Sequence, residues 1–509
     1  MNLFPFFSAL FLIINPVLLG LFNRFNQNLQ KLQFWVMLTS GMAWLISLVF
    51  FFFTPDHQLN PIWNAGETLL PSLAFSLDWV SSSYFLAVTT LIFFGILVEG
   101  HSPQTNAWIT GLGGICVIGT LVDSAYTLAM VWTLIEALAL YSFLKNQGEM
   151  TTSHRYIFSI LARLGGPLLV IYISLVNSSE GIAPFLTELP PSAAPFLMAA
   201  GVIGFAGWFL TPKISQDVRS VIHPGKYLTW TPAVLGLVLI TRSAQILEGD
   251  QFSPVLILVG TILIFLLVLL SVIFNQPGRV WKVGGLALIF SGFAFAAPEA
   301  VLIWGMIFLM PGLILFRNFG SKRTASLALI VSGIGILPLP FFPSWVGLFS
   351  LIGIPGLFFS ALAGLFLGRI FNHRIQKWRE IDIPTEQFSP LIISGYAVIL
   401  ISQYSISFQA GLFKKSLAFA SIPVGAWIAA LLFGVAVLFW DRIPVIKTPR
   451  LDRLKGKIML LIDAGSSSFP RLADEAIYLF TRLFEGDGGL IWTLLLGFLI
   501  IALMSVRGG

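Results

Sequence analysis

Long apolar stretches, separated by short polar or Gly- and Pro-bearing intervals, recur along almost the whole chain. They are too long for transmembrane strands, which need roughly 10 alternating residues, and they match the ~20 apolar residues of a membrane-crossing helix. The pattern predicts an all-α polytopic membrane protein with about 16 transmembrane helices. These lie near residues 2–22, 32–53, 79–98, 106–122, 125–145, 156–176, 194–212, 230–247, 254–274, 283–297, 300–316, 325–342, 346–371, 389–408, 422–440 and 488–506. The first has no basic n-region and no small-residue cleavage site, so it is expected to stay as a helix. Between 452 and 485 the pattern changes. Ile458–Ile462 and Ala476–Phe480 alternate with Asp463, Arg471, Asp474, Glu475 and Arg482 at helical spacing, which predicts an amphipathic segment on the membrane surface.

Two interruptions carry more information than the loops. Pro212 breaks the seventh span, and Pro338, Pro340 and Pro343 break the twelfth, five spans later. Spans 4–8 and 9–13 therefore read as two five-helix repeats, inverted because five is odd, with broken helices 7 and 12. The domain reading is three N-terminal spans (1–105), a first repeat (106–247), a second, degenerate repeat (254–371) and two further spans (389–440). The surface segment (452–485) and a C-terminal anchoring span (488–506) complete it.

Composition agrees: the chain is 57% hydrophobic and 10% charged, which excludes an ordinary soluble domain. Its net charge of +6 is explained by placement, not by nucleic acid. Loops on one side collect Arg24, Lys31, Lys145, Arg155, Lys213, Arg219 and the cluster from Arg442 to Lys457. Loops on the other side hold Lys414, Lys415 and Arg507 against Asp56, Glu67, Glu180, Glu188, Glu248, Asp250 and Glu299. The asymmetry predicts an integral membrane protein with its N-terminus outside. Cys116, the single cysteine, lies in a span, and the five histidines fall in predicted loops. No metal site, redox cofactor or catalytic residue is expected.

The chemistry centres on Glu136 in Ala125–Lys145, about 13 Å of helix rise from Lys145 in a slab about 30 Å thick. An ionised carboxylate at that depth needs a cation or water, which makes Glu136 a candidate for ion or proton handling. The alternative is a protonated Glu that bonds a neighbouring helix.

Trp132-x-x-x-Glu136 followed by Leu140-Tyr141, the stretch from Gly333 to Phe349 with Pro338 and Pro340, and Phe75-Ser-Leu-Asp78 together resemble the antiporter-like membrane subunits of respiratory complex I. That family is related to the large Mrp-type sodium/proton antiporter subunits. The similarity runs over roughly residues 76–408. It implies a fifth-helix acid, here Glu136, paired with a seventh-helix lysine and feeding a mid-membrane proton row that ends at a Lys or Glu on the twelfth helix. This sequence departs from that pattern. The seventh-helix lysine position falls on Gly207 or Trp208, the twelfth-helix position falls on Leu348, and Arg242 stands where one subtype carries a lysine. A guanidinium does not release its proton at working pH.

The first repeat keeps three intramembrane charges, Glu136, Arg163 and Arg242. Either arginine is a candidate counter-ion to Glu136, which would make a static pair; the alternative for each is to snorkel to a membrane surface. The resemblance implies a membrane subunit of a complex I-like NADH:quinone oxidoreductase in a prokaryotic plasma membrane. Other membrane subunits would be its partners, protons or sodium its ions, and its own proton path would be reduced or lost. A non-conducting structural subunit and a stand-alone cation/proton antiporter are the competing readings.

Overall fold

The computed structural model describes residues 4–24, 29–53, 57–59, 75–98, 102–145, 150–177, 185–210, 225–247, 254–274, 277–315, 322–351, 353–380, 390–417 and 424–440. Pro212, the 452–485 segment and the 488–506 span lie outside them. One compact unit comprises Met1–Asn146 and Ser159–Pro444, and everything below concerns it. Of the second unit, only residues 150–158, the first turns of a helix, are described.

The chain begins with α1 (Phe4–Arg24) and α2 (Leu29–Phe53). Two short antiparallel strands follow, β1 (His57–Leu59) and β2 (Phe75–Leu77), a pairing that hydropathy did not anticipate. The first half continues with α3 (Trp79–Val98), α4 (Pro103–Leu121), α5 (Ala125–Lys145), α6 (Met150–Val176), α7 (Ala194–Leu210) and α8 (Gly225–Ile246). The second half holds α9 (Pro254–Phe274), α10 (Pro277–Ala294), α11 (Pro298–Leu315), α12 (Lys322–Ile336), α13 (Pro343–Phe349) and α14 (Gly353–Arg379). The described chain ends with α15 (Pro390–Gln409), α16 (Leu412–Leu417) and α17 (Val424–Phe439). Among the described residues α1, α2, α3, α14 and α15 are long and apolar enough to cross a bilayer.

α3 is uncharged on all sides and buried along nearly its full length, as a helix at the centre of a bundle must be. α4, α8 and α11 also contribute to this core. In contrast, α9 and α17 turn large apolar side chains outward, among them Val255, Leu258, Leu431 and Leu438. These surfaces need no partner in hydrocarbon. Because lipid is as apolar as leucine, helix association here rests on close packing and interhelical hydrogen bonds. Asn15 bonds Thr110 at 3.1 Å and accepts from Thr39 at 3.0 Å, which joins α1, α4 and α2. Ser402 joins α15 to both α2 and α3 through Trp44 Nε1 (3.0 Å) and Thr90 Oγ1 (2.7 Å).

The break between α12 and α13 has a clear local cause. Pro338 and Pro340 cannot extend the helix, and Phe341 takes a left-handed backbone (φ +67°) that a bulky residue adopts only under constraint. Pro343 then starts α13 at its first turn, and Ser344 Oγ donates to Leu337 O at 2.6 Å across the break. Hydropathy ran one span from 346 to 371, whereas α13 ends at Phe349 and α14 begins at Gly353 with φ +80°. The residues between, Ser350, Leu351 and Ile352, are mostly apolar and hide this second break from a hydropathy count. α14 also runs on to Arg379, which carries His373 in a helix and not in the predicted loop; His154 likewise falls within α6.

α7 and α8 pack backbone to backbone where Gly201 faces Gly236. A Cβ on Gly236 would press on the Gly201 carbonyl oxygen, whereas one on Gly434 in α17 would meet nothing within 4 Å. Gly236→Ala is therefore expected to lower the thermal midpoint of the purified protein, a loss of about 1–3 kcal/mol. Gly434→Ala is expected to raise the midpoint slightly, since alanine is the better helix former by up to about 1 kcal/mol. Equal effects at the two positions would contradict the close approach.

Candidate functional site

Trp132 and Glu136 are one helical turn apart on α5 and share a face. Across from them α6 presents Arg163, four residues before Pro167. The proline has no N–H to give to the Arg163 carbonyl, so the helix is disturbed where this charge leaves it. Arg163 Nε donates to Glu136 Oε1 at 2.6 Å and Nη2 donates to Oε2 at 2.7 Å, a forked and charge-assisted contact. Trp132 Nε1 adds a longer bond to Oε1 at 3.4 Å. Both charged side chains are buried, Glu136 at 1% exposure and Arg163 at 0%. Arg163 is thus the counter-ion and does not snorkel.

The pair is held by packing around the indole. A Cβ on Gly166 of α6 would lie 2.9 Å from Trp132 Cη2, and one on Gly204 of α7 would press on the same ring. The two glycines therefore form the slot that lets Trp132 reach the carboxylate. Glycine at both positions is required for close approach, and larger residues would push α5 away from α6 and α7.

Arg242 belongs to a different cluster. From α8 its Nη1 reaches Asp123 Oδ1 at 3.3 Å and Asp78 Oδ2 at 3.8 Å. Its Nη2 donates to Ser76 Oγ (3.1 Å) and Ser81 Oγ (2.9 Å). Asp123 also accepts the Thr187 N–H (3.2 Å) and its Oγ1–H (2.9 Å). β2 and the start of α3 supply Ser76 and Asp78, and an isolated bridge from Phe75 to Val122 brings them beside Asp123. Burial pushes the Asp123 carboxyl above the ordinary carboxylate range, and Arg242 and Thr187 offset this only in part. Hydropathy reading singled out Arg242 but missed Asp123, Ser81 and Thr187. Phe75-Ser-Leu-Asp78 was the available signal, since it ends in the acid that caps α3 through the Ser81 N–H at 2.7 Å.

Among the described residues the second half contains no counterpart. Thr324 to Gly368 holds no titratable side chain, and Leu348 is fully buried in α13. Polar groups at the break are uncharged: Gln403 of α15 is buried with its amide against Gly335, and Trp304 Nε1 faces Gly347. Lys415 of α16 donates to Ser350 Oγ just beyond α13 at 3.2 Å. Burial holds Lys415 below the ordinary lysine range, with Glu299 acting against that shift and Lys414 with it. Gly207 and Trp208 lie in α7, with side chains outside the described residues. Among the described residues no three His, Cys, Asp or Glu side chains come together as a metal site would require.

No protein-family model matches this sequence, and no curated protein matches it. Solved structures do. A chain of the Mrp complex from Dietzia sp. DQ12-45-1b superposes with a TM-score of 0.56 at 15% identity over 100% of this chain, which spans 63% of that longer chain. A chain of respiratory complex I from Thermus thermophilus, solved with bound NADH, gives a TM-score of 0.55 at 15% identity, covering 84% of this chain and 99% of that one. The membrane-bound sulfane sulfur reductase, an archaeal respiratory membrane complex, gives 0.57 at 12% identity, covering 97% and 99%. The chain has the antiporter-like fold of complex I-type membrane subunits. It is an integral membrane protein.

Removing one member of a buried ion pair leaves an uncompensated charge, which typically costs about 3–5 kcal/mol. Glu136→Gln and Arg163→Gln are each expected to lower the thermal midpoint sharply. The double variant is expected to lose less than the sum of the two, measured as a double-mutant cycle. Additive losses would mean that the two side chains act independently.

Proposed function

We propose that this chain is a membrane-arm, antiporter-like subunit of a complex I-like NADH:quinone oxidoreductase. It would take part in the assembly's coupled proton translocation with its own proton path reduced or lost. The observation that carries this reading is the fork between Arg163 and Glu136. A relay carboxylate must bind and release protons. Here both carboxylate oxygens are taken up by a guanidinium, which itself does not release its proton at working pH. The fold shared with chains of multi-subunit membrane complexes supports further membrane subunits as partners. The distribution of basic loops supports an N-terminus outside. Protons or sodium would be the ion the assembly moves.

A second reading, that of a non-conducting structural subunit, draws on the span from Thr324 to Gly368 without titratable groups. Water or a neighbouring subunit would have to supply any relay there.

Extraction from native membranes in mild detergent is expected to yield the chain together with other membrane subunits and a redox module. A chain that emerges alone and passes cations across liposomes would instead make it a stand-alone antiporter. In vesicles holding the native assembly, replacing Glu136 and Arg163 together by glutamine is expected to leave the proton-to-electron ratio unchanged, provided the subunit still assembles. A fall in that ratio with electron transfer intact would place Glu136 in a live relay and overturn the loss of the path.

A further inference from the structure

Arg242 faces two carboxylates, and among the described residues it is the one cation within ion-pair distance of either. With all three groups ionised, the buried cluster would carry a net negative charge. Its ion pairing is also poor. The distances of 3.3 and 3.8 Å contrast with 2.6 and 2.7 Å at the Glu136 fork, two of Arg242's bonds go to neutral serines, and its buried Nε has no partner. Burial makes an unbalanced charge expensive, and the least costly remedy is a proton.

The geometry selects which acid takes it. Asp78 is the more exposed, at 16%, and its Oδ1 is committed as the acceptor of the Ser81 N–H at the first turn of α3. Asp123 is at 3%. Its Oδ2 is bonded to the Thr187 hydroxyl, which can turn from donor to acceptor, so a proton on Oδ2 keeps that hydrogen bond. Thr187 and the adjacent Glu188 are exposed, so water reaches this edge of the cluster. One turn further in, Tyr84 is engaged with Thr241 at 2.9 Å and offers no competing charge.

We propose that Asp123, set between Thr187 and the Arg242–Asp78 pair, is a proton-binding site open to solution on the membrane face that carries the β1–β2 strands. It is separate from the Glu136–Arg163 pair and does not rest on the functional reading above. The charge of Asp78 raises the proton affinity of Asp123, and Arg242 and Thr187 lower it. The sign for stability follows. A group that holds its proton more tightly when folded stabilises the fold at low pH, and that contribution is lost as pH rises from the ordinary carboxylate range through the raised midpoint.

The test is difference infrared spectroscopy of the lipid-reconstituted protein across a pH series, in whatever assembly it is purified. A protonated-carboxyl band that titrates above the ordinary carboxylate range is expected in the wild type and absent from Asp123→Asn. In Asp78→Asn the midpoint of that band is expected to move down, and in Arg242→Gln to move up. The wild-type thermal midpoint should fall over the same pH range in which that of Asp123→Asn stays flat. The two asparagine variants are isosteric and keep the cap and the acceptor to Arg242, so the test survives if Arg242→Gln does not fold. No Asp123-dependent band above the ordinary range, or a midpoint indifferent to Asp78, would overturn the proposal.

Discussion

A charge inside an apolar bundle must bring its partner with it. In a chain 57% hydrophobic and 10% charged, this constraint decides where the few intramembrane charges can stand and what each can do. At Glu136 it is met in full: both carboxylate oxygens meet a guanidinium nitrogen, an indole adds a third donor, and two glycines on other helices make room for that indole. The surrounding packing of α5, α6 and α7 is arranged to close this contact. Around Arg242 the constraint is met incompletely, with two acids, two serines and a threonine gathered from β2, α3, the α4–α5 link and the segment before α7. The short β1–β2 pair has a structural role there, because β2 leads Ser76 and Asp78 to the arginine.

The two halves handle polarity differently. The first half retains buried charge and spends hydrogen bonds on it. The second has none between Thr324 and Gly368; its broken helix is stitched by Ser344 to Leu337 O, and α12 is tied to α11 by Ser332 to Pro311 O. Polar backbone exposed by a helix break is tolerated in a membrane only where protein or water satisfies it, and serine hydroxyls do part of that work without adding charge. Around the break lie aromatic contacts, such as Trp345 against Trp427 with ring centres 5.3 Å apart. Between Thr324 and Gly368 this half is held together by packing and uncharged hydrogen bonds.

Much of the fold was legible because a transmembrane helix writes its length and period directly into sequence. Glu136 was legible for the same reason: one acid in a run of apolar residues is conspicuous. Its partner was not. Arg163 is 27 positions away on another helix, and hydropathy assigned it and Arg242 equal standing as candidates. Only packing distinguishes them, through Trp132 and the glycines that set the spacing of α5 and α6. Asp123 and Thr187 were invisible because a loop acid next to a span end looks like any solvated one; what buries Asp123 is the Phe75–Val122 bridge and the hold of Thr187, contacts between segments remote in sequence. The α13–α14 boundary was missed because an apolar break between apolar helices leaves no mark in hydropathy, although Gly353 with its positive φ stands where the chain turns.

The Glu136–Arg163 fork also decides how this part of the molecule responds to voltage. A lone charge carried across a bilayer couples to the transmembrane potential by about 2.3 kcal/mol per 100 mV. Two opposite charges locked a few ångströms apart in a slab about 30 Å thick form a small dipole with no net charge, so even full alignment with the field is worth only about a tenth of that. This ion pair is therefore nearly blind to the membrane potential, and an energised membrane does not pull it apart.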